Sequence, residues 1–346
     1  MREVDPAARF HPMVLAAQAR LAHQGGWSRM LAGEPLEDDD LVDAELLTAA
    51  GVLVRDGDAF ALADPDGHHH DPMDPMALAS GTIADLRRAL RYAQRGGVGW
   101  TGEDPVVVRA QGRASSLAAD MIAEQMGAMP GPHEAFSAGR GRFLDVGVGV
   151  AAISLRMCEL FPGATAVGLD ILPDVLEAAR REVADRGYDG QVELRLLDVA
   201  ELGEEETFDL AWLPQPFLPP AALEEGLERV RHALRPEGWL VMPLNVPTRD
   251  CSFEKALSEH SSHLLGGGPM SQDEAERLVA SVGYEDLTWC EYHGLSLLLA
   301  RRPEVATVTR LRGKVTGADR THGGRRLGEE HGVVDPAGAR RAGDRC

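Results

Sequence analysis

FLDVGVGVAAIS, residues 143–154, decides how this chain folds. Phe143, Leu144 and Val146 read as a buried strand, Gly147 and Gly149 as a turn where backbone can come close to a ligand, and Ala152 and Ile153 as the start of a helix. Strand, glycine turn and helix in that order open an α/β unit. Ligands of such sheets lie outside the carboxyl ends of the strands. The glycines alone also fit the dinucleotide pattern G-x-G-x-x-A, completed by Ala152, but Asp145 at the strand end would repel a pyrophosphate.

Working outward, the apolar runs TAVGLD, VELRLLD, FDLAWL and WLVMPL alternate with helical patterns such as ILPDVLEAARREVADRG and AALEEGLERVRHALRP. That alternation predicts a Rossmann-like α/β domain, a parallel sheet covered by helices on both faces. After the fifth strand, helical stretches near 253–264 and 271–283 lead to LTWCEYHG and LSLLLARR. These two runs are joined too tightly for a crossover helix, so they must pair antiparallel.

The chain before residue 141 reads differently. Helical spacing over 12–23 and 41–53, then two short runs about Asp56-Gly57, predict a small winged-helix-like module. Asp38, Asp39, Asp40, Asp43 and Glu45 crowd its would-be recognition helix, which favours dimerisation or substrate covering over DNA. Helices are expected again at 76–95 and 114–128. His68, His69 and His70 lie in a Pro- and Gly-rich loop, where three consecutive residues cannot easily face one ion, so no metal site is expected. The expected division is 1–100 as the dimerising and covering domain, 101–140 as a helical linker region, 141–303 as the ligand-binding domain and 304–346 as a disordered tail. The segment from Arg301 onward carries eleven basic and six acidic residues with almost no apolar periodicity.

Thirty-five basic against 55 acidic residues give 346 residues a net charge of -20, which opposes a nucleic-acid partner. Only Lys255 and Lys314 are lysine, a skew expected of a bacterial, GC-rich coding genome. Cys158, Cys251, Cys290 and Cys346 are scattered and imply neither zinc nor a disulfide framework. A cytoplasmic protein is expected, with no signal peptide and no membrane span.

Asp170 and Asp198 end the next two strands, and with Asp145 they put three acids at one mouth. A ligand with an ammonium group and a ribose but no phosphate satisfies Asp145 and Asp170 together, while an adenine amino group could donate to Asp198. S-adenosylmethionine is such a molecule. Helix capping is the competing reading, and it applies best to Asp170.

At this point the chain resembles the class I S-adenosylmethionine-dependent methyltransferases over roughly 140–303, through LDVGVGVA, GLDI, LLDVAE, FDLAWLPQP and LRPEGWLVM. The resemblance implies a seven-stranded sheet ordered 3-2-1-4-5-7-6 with strand seven antiparallel. It implies that Asp145 holds the methionine amino group directly or through water, that Gly147 and Gly149 admit the ligand to the backbone, and that Asp170 accepts from the ribose hydroxyls. Ile171 and Val199 would pack on adenine beside Asp198, although core packing explains both equally well. Ala151 stands where many members carry a third glycine.

Leu213-Pro214-Gln215-Pro216-Phe217 resembles the signature of nucleic-acid amino methyltransferases only in Pro216-Phe217. Trp212, Pro214, Gln215 and Phe217 are instead expected to wall a pocket for a small organic acceptor. The amino-terminal module resembles that of small-molecule methyltransferases of bacterial secondary metabolism, which implies a homodimer. The acceptor atom, oxygen, nitrogen or carbon, stays open. His260 and His263, at i, i+3 on a helix after strand five, are candidate bases, with solvent-facing polar residues as the competing reading and His133 and His293 behind them. A cofactor-sensing protein without turnover and a nicotinamide dehydrogenase are the competing functions.

Overall fold

The computed structural model describes residues 12–23, 25–57, 59–62, 84, 86–94, 99–245, 252–292 and 295–304. The calls on His68 to His70, His293 and the tail beyond 304 lie outside these residues.

The first layer is α1 (Pro12–His23), α2 (Gly26–Leu31), α3 (Asp38–Ala49) and the hairpin β1 (Leu53–Asp56) and β2 (Ala59–Leu62), turning at Gly57 as Asp56-Gly57 predicts. Val14, Leu21, Leu47, Leu53 and Phe60 form its core. Two of the acids read as a surface cluster turn inward instead. Asp40 is buried against Arg29, and Asp43 accepts from Arg20 at 2.6 Å. The face is therefore less acidic than the bare sequence suggests.

Helix α4 covers residues 86–94. Helix α5 (Pro105–Gln125) begins nine residues before the predicted 114. Asp104 caps it, accepting from Val106 N at 2.9 Å, and Pro105 supplies the first helical φ, so the cap outweighs the poor helix propensity of Val106 to Val108. Helix α6 (Pro130–Ser137) leads into the sheet.

The sheet contains β3 (Arg142–Val146), β4 (Thr165–Asp170), β5 (Val192–Leu196), β6 (Phe208–Trp212), β7 (Leu234–Asn245), β8 (Glu285–Tyr292) and β9 (Leu295–Arg301), in the order β5-β4-β3-β6-β7-β9-β8. Counted along the sheet's own strands this is 3-2-1-4-5-7-6, and β9 runs antiparallel to both β7 and β8. Helices α7 (Ala152–Leu160), α8 (Pro173–Asp185), α9 (Pro220–Ala233), α10 (Ser252–Leu265) and α11 (Gln272–Val282) fill the crossovers. One core, around Phe143, Leu210 and Val241, lies beneath α5 and α7; the other, around Leu144, Ala211 and Met242, lies beneath α9 and α11. Successive residues of β3, β6 and β7 face opposite cores, which is the period-two alternation of a strand buried on both sides.

Two distant glycines seat the turn after β3. A Cβ on Gly168 of β4 would stand 2.4 Å from Val148, and one on Gly112 of α5 would stand 2.2 Å from Val150. Neither distance is tolerable, so each glycine is required where a turn valine presses in.

Candidate functional site

The carboxyl ends of β3, β4 and β5 converge on the glycine turn. Gly147 and Gly149 have φ of +67° and +57°, and a Cβ on Gly149 would meet nothing closer than 4.0 Å. Their backbone thus borders open space rather than packed protein. That space is a cavity of about 670 Å³, ample for a cofactor and a small acceptor together.

Asp170 lines the cavity at the end of β4 and is 8% exposed. Its Oδ2 accepts from Gly149 N at 3.1 Å and its Oδ1 from Leu172 N at 3.0 Å. The turn and the carboxylate are therefore locked together, with lone pairs still available on each oxygen. The side chain forms no helix cap: α8 starts after Leu172 with none. The capping role falls to Asp198, which is exposed at the cavity edge and accepts from Ala200 N at 3.0 Å.

Ile171 and Val199, equal at the level of sequence, separate here. Ile171 is 62% exposed at the cavity and cannot be core packing, whereas Val199 is buried among Leu202, Leu223 and Leu227 while also lining the cavity. A large exposed aliphatic side chain at such a mouth suits the face of a heteroaromatic ring.

Asp145 lies behind the turn instead of lining the cavity. It is 1% exposed; its Oδ2 accepts from Ser154 Oγ at 2.6 Å, and its Oδ1 has no hydrogen-bond partner. Burial raises its pKa from 3.8 to about 7, offset in part by Ser154 and reinforced by the charge of Asp170. Burial also raises Asp170, against the hydrogen bonds from Leu172, Gly149 and Ile171. Two buried carboxyls pushed toward their neutral forms make a site that a cationic ligand would return to the charged state. With the open glycine backbone and the orphaned Oδ1, these residues fit a sulfonium nucleoside better than a pyrophosphate.

The acceptor side was read less well. Trp212, Pro214 and Phe217 line the cavity, and Trp100 meets Phe217 edge to face at 5.6 Å between centroids. Gln215 does not. It is 1% exposed, and its Nε2 donates to the carbonyls of Gly267 and Gly268 at 3.3 and 3.1 Å. A short helical turn over Gln215–Phe217 rotates the amide off the cavity wall and onto the segment that ends α10. His260 and His263 are also displaced from the expected role: both are exposed, His260 lies edge-on to Tyr92 at 5.9 Å, and Ser261 and Leu265 are the α10 residues that reach the cavity. Ser261 and Leu265 form an i, i+4 pair on a different stripe of α10 from the two histidines. His133 is exposed on α6, away from the cavity.

Sequence reasoning missed Arg88, Gln111 and Ser115 on α4 and α5, Trp100, and Asn245 at the end of β7. Residues on α4 and α5 carry no motif and come to the cavity only through folding; Asn245 could have been found, since it ends β7 next to β6, whose end Trp212 and Pro214 had already implicated. Among the described residues there is no cluster suited to a metal ion, and no helix is long and apolar enough to cross a membrane.

Among known proteins, residues 143–238 match a methyltransferase domain family. A demethylmenaquinone methyltransferase of Thermus thermophilus is 33% identical over 104 residues, 29% of this chain and 46% of that protein, so the match spans about half the relative's length. The structure of an O-methyltransferase family protein from Burkholderia thailandensis superposes with a TM-score of 0.57 at 13% identity, over 88% of this chain and 99% of the other. Human N-acetylserotonin methyltransferase, in complex with S-adenosylmethionine, gives 0.56 at 16%, over 84% and 94%. The architecture they share is the class I methyltransferase fold.

Proposed function

We propose that this chain, a class I methyltransferase fold with its methyltransferase domain at 143–238, transfers a methyl group from S-adenosylmethionine to a small organic acceptor, in a reaction of bacterial secondary metabolism. The observation that carries the reading is the pairing of an open glycine turn with a cavity-facing Asp170 and an unsatisfied, buried Asp145. When bound, the cofactor supplies an electrophilic methyl on a positively charged sulfur.

In this reading Asp170 accepts from the ribose hydroxyls, Ile171 covers one face of adenine beside Val199, and Asp198 meets the adenine amino group. Asp145 acts from behind the turn, its Oδ1 compensating the ammonium through an intervening water. Trp212, Pro214 and Phe217 hold the acceptor against the methyl, and such positioning supplies much of the rate of an in-line displacement. Helix α4 and Trp100 roof the cavity, and the amino-terminal module dimerises through Val42, Leu46 and Val54, large apolar side chains that it leaves exposed. A monomer mass in light scattering at micromolar concentration would count against that dimer. The free thiols of Cys158 and Cys290 fit a cytoplasmic location.

Isothermal titration of the full chain with S-adenosylhomocysteine tests the core of the proposal. Asp170→Ala should weaken binding about 100-fold, the loss of charge-assisted hydrogen bonds worth roughly 3 kcal/mol. Undiminished affinity in that variant removes the ribose assignment, and no binding to the unaltered chain removes the function.

A further inference from the structure

We infer that Asn245 sets which acceptors the cavity takes, its amide oxygen accepting from a hydroxyl or amino hydrogen on a flat aromatic molecule; this rests on the methyltransferase reading above. Asn245 closes β7 and lines the cavity half-buried. Its Nδ2 donates to Ser262 Oγ of α10 at 3.2 Å. Ser262 is 3% exposed, and its main-chain carbonyl accepts from Gly266 N at 3.2 Å and Gly268 N at 3.1 Å, so the residue that holds the amide is itself fixed in place. With its nitrogen end tied to α10, the amide has one defined orientation. Its Oδ1, an acceptor with two lone pairs, has no hydrogen-bond partner among the described residues.

The surroundings make that oxygen selective. Pro243, two residues back on the same face of β7, and Leu295, the register partner of Asn245 on β9, both line the cavity, as does Leu265 of α10. An amide oxygen in this apolar frame is left unpaired by a ligand that displaces water without donating to it, whereas an O–H or N–H at the same point restores the bond. The cavity's carboxylates, Asp170 and Asp198, stand at the ends of β4 and β5, three and four strands away from β7, and serve the cofactor instead. Trp100, Trp212 and Phe217 give the cavity flat apolar surface for the body of an aromatic acceptor. An amide is neither acid nor base at neutral pH, so Asn245 orients the acceptor and takes no proton from it.

Equilibrium dialysis on the chain saturated with S-adenosylhomocysteine, using 2-naphthol and 2-methylnaphthalene as probes matched in size, decides the matter. The readout is the ratio of the two affinities, which cancels the difference in their apolar burial between variants. Asn245→Leu should lower the ratio of naphthol to methylnaphthalene binding about 5- to 10-fold, the effect of one neutral hydrogen bond. Asn245→Asp, nearly isosteric and able only to accept, should keep the preference for naphthol, because the Ser262 hydroxyl can turn to donate to it. Affinity for S-adenosylhomocysteine within about two-fold of the unaltered chain shows that each variant is folded, since a factor of two is a small free energy. A ratio unmoved by Asn245→Leu, a ratio that falls as far in Asn245→Asp, or binding of neither probe overturns the inference. Failure of S-adenosylhomocysteine to bind the unaltered chain would instead strike the methyltransferase reading.

Discussion

At the β3–β5 end of the cavity the chemistry belongs to backbone amides and strand-end carboxylates; at the β6–β7 end it belongs to side chains brought in from α4, α5 and α10. The first end is local in sequence: Gly147, Gly149 and Asp170 lie within one strand–helix–strand unit, and one hydrogen bond from Gly149 to Asp170 joins them. The second is assembled across more than 170 residues, from Arg88 to Ser261 and Leu265. An end built on the main chain can hold one ligand rigidly. An end built on side chains from separate helices can change its ligand without disturbing the fold, because few of its contacts also hold the sheet together.

The largest test of this contrast is Asp145→Asn. The unfolded chain ionises this carboxyl near 3.8, whereas the folded protein keeps its proton up to about 7. Asp145 therefore contributes stability that is full below the unfolded value and is lost as pH rises through about 7. The asparagine variant should unfold at higher temperature than the parent at pH 8, by an amount equivalent to roughly 2–4 kcal/mol, with the gain shrinking toward pH 4. Scanning calorimetry at the two pH values measures it. A gain independent of pH would mean that the carboxyl titrates alike in the folded and unfolded chain, and that burial does not hold its proton.

Gln215→Leu tests the other end. Removing the two bonds to Gly267 and Gly268 leaves their carbonyls short of a partner, at a cost of about 1–2 kcal/mol in thermal unfolding. S-adenosylhomocysteine affinity should not move, since nothing in the β3–β5 end touches this amide. A parallel fall in that affinity would show that the two ends are not separable.

The smallest effect concerns Ala151, a non-glycine residue at φ +61° and fully buried at the start of α7. Ala151→Gly should relieve left-handed strain of about 1–2 kcal/mol per residue at the loss of roughly 0.8 kcal/mol of methyl burial. The net gain, about 0.5 kcal/mol, would appear as a slightly raised denaturant midpoint. A lowered midpoint would mean that the methyl packs better than the backbone suffers.

The same contrast explains what could be read from sequence. The strand–helix alternation, the antiparallel final pair and the three acids follow from apolar runs and a turn motif, all short-range signals, whereas the strand order was implied by the family resemblance. The acids' environments do not. Nothing in LDVG distinguishes a carboxylate facing a ligand from one sealed behind the turn, and nothing in DDDLVDAE separates Asp40, buried on Arg29, from its neighbours. For Gln215, a single short helical turn changed which way the amide points. For His260 and His263, the same periodicity that put them on one face could not say that the face was the outer one.

Gly112 and Gly168 carry a last consequence. Each accommodates a valine of the turn, Val150 for the first and Val148 for the second, at distances that leave no room for a methyl. The two variable letters of G-x-G-x are thus tied to residues on separate elements, and in related chains the pairs 112–150 and 168–148 should vary together: wherever one member gains a side chain, the other must shrink.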